Sequence, residues 1–260
     1  MKQKPKLGQN FLIDPAASIA IAESLGDISH QTIIEIGSGA GAITEILASR
    51  AHRLVAIELD HDLASGLRAQ LPSIEVVEAD ILTVDFNALR NGGAKLRVVG
   101  NLPYYITSPI LLHLFRYCDS IASAVIMMQQ EVADRVIAAP GSRDYGLLSA
   151  TAQMYASIER ILTLPPAAFM PPPQVHSTVL RLTMGPRFAE FGVKPETFLP
   201  FLRQSFAQKR KTLGKNLRAA GFQPAQIAEA LAQSSIPSTV RAEELSLERM
   251  AALWKVLQPD

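Results

Sequence analysis

Cysteine is almost absent from this chain, and long apolar runs are missing. The single cysteine, Cys118, excludes an internal disulfide and an all-cysteine metal cluster, which favours a reducing compartment such as the cytoplasm. No run approaches the roughly 18 apolar residues that cross a bilayer, and no apolar stretch follows the basic start, so we expect neither a signal peptide nor a membrane partner. We also expect no metal site, because metal-ligand spacing is missing among His30, His52, His61, His113 and His176.

An excess of one charge is also missing, because 25 Lys and Arg nearly balance 24 Asp and Glu. The two signs are nevertheless unevenly distributed. Residues 1–180 carry 13 basic and 17 acidic side chains, a net charge of −4, whereas residues 181–260 carry 12 and 7, a net charge of +5. The 260 residues are 48% hydrophobic, enough for one large domain and a small appendage, and the basic end suggests contact with a polyanion.

The first two-thirds of the sequence alternates short apolar runs with helical patterns. Runs such as Thr32–Ile36 and Arg53–Glu58 predict buried strands, and the segments between them predict helices. This alternation favours an α/β fold with a mostly parallel sheet and helices on both faces. Two later strands, at Ser157–Leu164 and Thr178–Thr183, are joined by a loop too short for a parallel crossover and should pair antiparallel at one edge.

The pattern changes after Met184-Gly185-Pro186, and beyond Pro195 every segment reads as helical. We therefore place a domain boundary between about residues 184 and 195. The predicted domains are residues 1–188, which contain the sheet, and residues 189–260, which are helical.

A glycine-rich loop follows the first strand of the predicted sheet and opens a helix. Gly37 and Gly39, in Glu35-Ile36-Gly37-Ser38-Gly39-Ala40-Gly41, let the backbone turn tightly and approach a ligand. Glu58 ends the next strand, 21 positions after Gly37, where a carboxylate can accept hydrogen bonds from two ribose hydroxyls. The pattern favours a nucleoside-containing cofactor over a bare strand-to-helix turn, but it fits an NAD dehydrogenase and an S-adenosylmethionine (SAM) methyltransferase equally well.

Asp80 and Ile81, at the end of the third strand, begin to separate these two alternatives. A carboxylate at this position can accept a hydrogen bond from the exocyclic amine of adenine, while Ile81 packs on the ring. The alternative role for Asp80 is an ordinary cap of the loop that follows the strand.

Asn101-Leu102-Pro103-Tyr104 follows the fourth strand, at the carboxyl edge where open α/β sheets bind ligands. The side-chain oxygen of Asn101 and the carbonyl of Leu102 can both accept from one amino group, Pro103 stiffens the loop, and the Tyr104 ring can stack on a base. Two acceptors on an adenine amine favour a tetrahedral nitrogen whose lone pair can face an activated methyl. This motif favours methyl transfer to a base over an ordinary Asn-Pro turn with buried tyrosines.

With these motifs in order, the sequence resembles the KsgA (RsmA) family of small-subunit ribosomal RNA adenine dimethyltransferases. The resemblance covers essentially the whole chain. Its further blocks are Lys6–Leu12, Gln130–Arg135, Tyr145–Ser149, Phe169–Ser177, Phe206–Leu213 and Arg241–Ser246. Two departures are small: Ser38 stands where proline is frequent, and Lys209 where arginine is frequent, which loses the fork geometry suited to phosphate.

The resemblance implies a Rossmann-like sheet of seven strands with a helical C-terminal domain. It implies that SAM is used to convert two adjacent adenosines near the 3′ end of small-subunit rRNA to N6,N6-dimethyladenosine. It assigns Asn10, Leu12, Gly37, Glu58, Asp80 and Asn101 to the cofactor and catalytic cleft. Two related possibilities stay open: a resistance-type methyltransferase of large-subunit rRNA, and an assembly factor of the same fold without catalysis.

Phe169 and a basic segment are the predicted contacts with RNA. Phe169, held in an extended proline-rich loop, could cover the other face of a base stacked on Tyr104, although a core phenylalanine is the alternative. The expected partners are small-subunit rRNA and its precursor particle, bound by a monomer. Phosphate contact is predicted for six cations that have no acid between them: Arg203, Lys209, Arg210, Lys211, Lys215 and Arg218. The basic start, with Lys2, Lys4 and Lys6, could also touch RNA.

Overall fold

The computed structural model describes residues 9–258. Its strands are β1 (Phe11–Leu12), β2 (Thr32–Ile36), β3 (Arg53–Glu58), β4 (Glu75–Glu78), β5 (Leu96–Asn101), β6 (Ile121–Gln129), β7 (Ala156–Leu164), β8 (Phe169–Met170) and β9 (Ser177–Met184). Its helices are α1 (Pro15–Glu23), α2 (Thr44–Ala48), α3 (His61–Gln70), α4 (Phe86–Arg90), α5 (Thr107–Arg116), α6 (Gln130–Ile137), α7 (Leu147–Tyr155), α8 (Phe188–Phe191), α9 (Pro195–Ser205), α10 (Leu213–Ala219), α11 (Pro224–Gln233) and α12 (Leu247–Leu257). Within residues 9–258, none of these helices has the length and apolar character that a bilayer crossing requires.

The seven-stranded sheet has the order β4-β3-β2-β5-β6-β9-β7. Strands β4, β3, β2, β5 and β6 pair in parallel, and β9 pairs antiparallel with β6. The predicted mostly parallel sheet is therefore confirmed, and the two late strands lie side by side at its edge as expected. Because β2 and β5 are neighbours that lead into different crossovers, the sheet has a switch point there, where open α/β sheets place their ligands.

A separate two-stranded ribbon joins the start of the described chain to the proline-rich loop. Phe11 in β1 pairs with Met170 in β8, and Leu12 pairs with Phe169. The chain then turns into α1, whose first N–H groups are capped by the Asp14 carboxylate, with Pro15 in the first turn. The ribbon fixes the position of residues 9–12 against the part of the chain that contains the sheet.

Two compact units divide the described chain. The first contains residues 9–133 and 157–184, and the second contains residues 134–156 and 185–258. The second unit differs from the domain predicted at 189–260, because residues 134–156 belong to it. The reason is packing: Tyr145, Ala150 and Met154 are buried in the apolar core of the second unit together with Phe201 and Leu217.

Candidate active site

A cleft opens at the carboxyl ends of β2, β3 and β5 in the first unit. It encloses about 800 Å³, including its solvent-open mouth. The residues that line it are Gln9, Asn10, Phe11, Ile36, Gly37, Gly39, Ile57, Glu58, Leu59, Ala79, Asp80, Ile81, Asn101, Leu102, Pro103, Tyr104, Tyr105 and Ile106.

The glycine-rich loop forms one wall of this cleft. Gly37 and Gly39 have φ angles of +68° and +55°, in the left-handed region that side chains with a Cβ rarely adopt. A Cβ on Gly39 would also lie 3.1 Å from the ring carbon Cδ1 of Phe11. Glycine is therefore required at position 39 both by the backbone turn and by the close approach of the Phe11 ring.

Glu58 ends β3 and is held almost entirely by backbone donors. Its side chain is 3% exposed. The Gly39 N–H donates to Oε2 at 2.9 Å, and the N–H groups of Leu59 and Asp60 donate to Oε1 at 3.0 Å each. These bonds fix the carboxylate at the cleft wall. Oε1 already accepts two bonds and Oε2 accepts one, so Oε2 retains a lone pair that can accept a hydrogen bond from a ribose hydroxyl.

Asp80 and Ile81 lie beyond Glu58 on the same wall. Asp80 is exposed, and its Oδ1 accepts from the Leu82 N–H at 2.9 Å, so the residue caps a single 3₁₀ turn while its carboxylate lines the cleft. Ile81 is buried and presents an apolar surface beside it. The structure shows Asp80 as a cap that also lines the cleft, and its role as an acceptor for adenine stays a prediction.

Asn101 closes β5, and its amide has a fixed orientation. The Nδ2 group donates to the backbone carbonyl of Asn10 at 3.0 Å. Asn101 also lines the cleft. Because Nδ2 donates to Asn10, Oδ1 is the atom of this amide that can accept a hydrogen bond from a ligand in the cleft. The Leu102 N–H donates to the Met127 carbonyl at 3.1 Å, which fixes the loop on the neighbouring strand β6.

Two tyrosines follow this loop in a 3₁₀ turn and differ in exposure. The Tyr104 hydroxyl is 2.7 Å from Ser177 Oγ, which locks its ring at the cleft wall, and burial raises the pKa of the Tyr104 hydroxyl. Tyr105 is 63% exposed at the cleft mouth. Tyr104 therefore offers a fixed ring face inside the cleft, and Tyr105 an exposed aromatic ring at its rim.

Asn10 and Leu12, the two positions taken from the family resemblance, take different places. Asn10 lines the cleft, and its carbonyl orients Asn101. Leu12 is buried and lines a smaller neighbouring recess with Glu35 and Ser38. The structure therefore brings Asn10 to the main cleft and Leu12 to the space directly behind the glycine loop.

Phe169, predicted to stack on the target base, does not line the cleft. Its side chain is 1% exposed and packs in the apolar core with Leu12, Ile33 and Val179. The cause is its pairing with Leu12 in the β1–β8 ribbon, which directs the ring into the core. The interpretation of Phe169 as a second base-stacking ring is corrected to that of a core residue in this conformation.

The predicted RNA-contacting cations lie in the second unit. All six are exposed, and they occupy α9, α10 and the loop between these helices: Arg203, Lys209, Arg210, Lys211, Lys215 and Arg218. The loop is held by Asn216, whose Nδ2 donates to the carbonyls of Ser205 and Gln208 at 2.7 and 3.2 Å. Lys209 Nζ donates to the Arg143 carbonyl at 2.6 Å, so this lysine also anchors the loop. Lys2, Lys4 and Lys6 lie outside the described residues.

Gln9, Phe11, Leu59 and Tyr105 are among the lining residues that were not predicted as site residues. Gln9 and Phe11 reach the cleft through the two-residue strand β1, which is too short to give a periodic signal. Leu59 and Tyr105 directly follow predicted site residues and line the cleft with half or more of their side chains exposed. The available signal was adjacency to a predicted site residue for Leu59 and Tyr105, and membership of the Lys6–Leu12 block for Gln9 and Phe11.

The comparisons with known proteins agree with this geometry. The model of the family described as ribosomal RNA adenine dimethylase matches residues 1–259. The chain is 60% identical to ribosomal RNA small subunit methyltransferase A of Acidobacterium capsulatum, over 99% of this chain and 92% of the relative. It is 51% identical to the protein of the same name from Koribacter versatilis, over 98% and 95%.

Solved structures give the same fold. A dimethyladenosine transferase from Plasmodium falciparum superposes with a TM-score of 0.77 at 21% identity, covering 94% of this chain and 95% of that one. The 23S rRNA methyltransferase ErmE superposes with a TM-score of 0.71 at 25% identity, covering 95% and 99%. The methyltransferase fold predicted from the sequence is therefore confirmed. Together with the family match over nearly every residue, this shows that the chain belongs to the ribosomal RNA adenine dimethylase family.

Proposed function

We propose that this protein uses SAM to dimethylate N6 of two adjacent adenosines near the 3′ end of small-subunit rRNA. The observation that carries the proposal is the fixed amide of Asn101. With Nδ2 donating to Asn10 at 3.0 Å, Oδ1 is left as an acceptor beside a stiff proline turn and a half-buried tyrosine ring. This combination suits an exocyclic amine on a flat base.

The cleft fits SAM by the chemistry of its walls. The buried Glu58 carboxylate can accept from ribose hydroxyls, the exposed Asp80 carboxylate can accept from the adenine amine, and Ile81 offers an apolar surface to the ring. Gly37 and Gly39, whose φ angles are positive, have no side chain, so their backbone can approach the ligand closely. When bound, SAM supplies a methyl group that its sulfonium has already activated.

The residues of the chain position the acceptor nitrogen. Asn101 Oδ1 and the Leu102 carbonyl accept its two hydrogens and favour the tetrahedral geometry in which the lone pair is free. The Tyr104 ring, locked by Ser177, stacks on the flipped adenine and offsets part of the few kcal/mol of unstacking. No side chain has to act as a base, because the nitrogen loses its proton to solvent after the transfer.

The proposed substrate is the small-subunit precursor particle in the cytoplasm, bound by a monomer. The exposed cations around the α9–α10 loop would contact phosphates and set register, while the cleft selects the base. A large-subunit target is the less favoured alternative, because identity to the small-subunit relatives reaches 60% and identity to ErmE is 25%. A non-catalytic role in ribosome assembly would not explain why the Asn101 amide is oriented at the cleft.

A substrate comparison tests the proposal. The protein is incubated with labelled SAM and either immature small subunits or protein-free large-subunit rRNA, and the rRNA nucleosides are identified by mass spectrometry. We expect N6,N6-dimethyladenosine in the small-subunit rRNA alone, and none with the Asn101→Ala variant. Methylation of large-subunit rRNA instead, or equal product from the variant, would contradict the proposal.

A further inference from the structure

Three exposed apolar or aromatic side chains lie near the mouth of the cleft, and the proposed function does not use them. Tyr105 is 63% exposed and lines the cleft. Met170, at the end of β8, is 52% exposed, and Val175, in the loop between β8 and β9, is 43% exposed. We call these three side chains the apolar rim. Apolar side chains that are exposed singly are common on protein surfaces, so their position relative to the cleft decides whether they form a binding surface.

Contacts at both ends hold the β8–β9 loop beside the cleft. At one end Met170 pairs with Phe11, and the two side chains share a face of the ribbon because they lie directly opposite each other in an antiparallel pair. Phe11 lines the cleft. At the other end, two residues beyond Val175, the Oγ of Ser177 is 2.7 Å from the Tyr104 hydroxyl. The apolar rim therefore borders a single cleft and forms a surface beside it.

The chemistry of the apolar rim indicates which part of an RNA fits it. Residues 169–177 contain no Lys, Arg, Asp or Glu, and neither do residues 102–111 around Tyr105. Phosphate groups are bound mainly by cations and N–H donors, so this neutral surface does not suit the RNA backbone. Aromatic and apolar side chains instead take the faces of unpaired bases, because every base has a π face. The rim therefore suits a base that is not paired.

We propose that the Tyr105 ring stacks on the base next to the target adenosine, and that Met170 and Val175 contact the same base. The proposal rests on the proposed function, which places the target adenine on Tyr104. Tyr105 is the next residue, with its Cα about 3.8 Å away, and the neighbouring nucleotide is covalently joined to the target. Because the two methylated adenosines are adjacent, the rim holds one of them while the other is methylated. Tyr105 is thus a positioning residue and takes no part in the transfer itself.

The affinities of two short RNAs isolate the contact with the neighbouring base. Both RNAs carry one adenosine, which is flanked by guanosines in one and by abasic nucleotides in the other. The ratio of the two affinities is measured in the presence of S-adenosylhomocysteine for the wild type and for each variant. We expect Tyr105→Ala to lower this ratio about fivefold or more, because stacking of one base on an aromatic side chain contributes at least such a factor. Tyr105→Phe keeps the ring and should keep the ratio.

Leu112→Ala is the matched control for these measurements. Leu112 lies on α5, is 43% exposed and is not among the residues that line the cleft. Its ratio should stay within about twofold of the wild type, and the melting temperatures of both alanine variants should stay close to that of the wild type, because both side chains are exposed. An unchanged ratio in Tyr105→Ala, an equal change in Leu112→Ala, or an equal loss in Tyr105→Phe would overturn the proposal.

Methylation of immature small subunits separates this inference from the proposed function. In Tyr105→Ala the KM for the particles should rise about fivefold or more, while the affinity for SAM, measured by calorimetry, stays the same. An unchanged KM would overturn the proposal. If the wild type failed to methylate the particles, the proposed function itself would fail. If the variant raised the KM but kept the wild-type ratio for the short RNAs, the rim would bind a ribosomal protein, and base stacking would be overturned.

Discussion

Replacing Asn101 with alanine separates the two consequences of its oriented amide. The variant loses the hydrogen bond from Nδ2 to the Asn10 carbonyl, 3.0 Å long and only partly buried. One neutral hydrogen bond of this kind contributes about 0.5–1.5 kcal/mol, a small part of the roughly 5–15 kcal/mol that stabilises a domain. The variant should therefore fold. Losing one preorganised polar group at the reacting atom costs about 10²–10³-fold in rate, or about 2.7–4 kcal/mol.

The assay is single-turnover methyl transfer to immature small subunits at saturating SAM, with SAM affinity measured separately by calorimetry. Asn10→Ala is the matched control, because it removes a side chain but keeps the carbonyl that orients Asn101. We expect its rate at saturating SAM to stay within about threefold of the wild type. A rate for Asn101→Ala within tenfold of the wild type would refute the assigned role, and so would an equal loss in Asn10→Ala.

Three further substitutions test the walls of the site and the basic loop. Glu58→Gln loses an acceptor for the Gly39 N–H, so urea unfolding should show a loss of about 1–3 kcal/mol and SAM should bind more weakly; unchanged values would contradict the assigned contacts. Asp80→Ala should weaken the binding of SAM, measured by calorimetry, by about 1–3 kcal/mol, and an unchanged affinity would show that Asp80 does not contact SAM. Lys211→Ala should lower the slope of log affinity for rRNA against log salt concentration by about one, and it should leave the protein's stability unchanged. Lys209→Ala should lower the slope and also the melting temperature, because its Nζ anchors the loop; equal melting temperatures for the two variants would exclude that anchor.

Much of the sheet unit could be predicted because its elements are specified locally. Strand β3 has the predicted bounds, and the predicted helix after it begins behind Asp60, because the Asp60 carboxylate caps it. Helix α2 begins only at Thr44 because the turn of the glycine loop occupies the residues before it. Which core the segment 134–156 would join could not be predicted, because an amphipathic helix does not specify its partner.

The site divides in the same way. Gly37, Glu58, Asp80 and Asn101 were predictable because each stands at the carboxyl end of a parallel strand, and parallel strands bring those ends to one edge. Phe169 was misplaced because an extended proline-rich loop does not determine which side of the chain an aromatic ring will face. Its direction depends on a ribbon of two residue pairs, a contact between distant segments that leaves no periodic pattern.

That ribbon also has a consequence for protein engineering. The acceptor that orients Asn101 is a main-chain carbonyl, and the strand containing Phe11 and Leu12 begins immediately after it. Substitutions at Phe169 or Met170, which pair with this strand, would therefore shift the direction of the Asn101 amide without altering a residue of the cleft. Engineering that aims to broaden the range of accepted nucleobases can use these distant positions. Loops grafted from relatives should include β1 and β8 together.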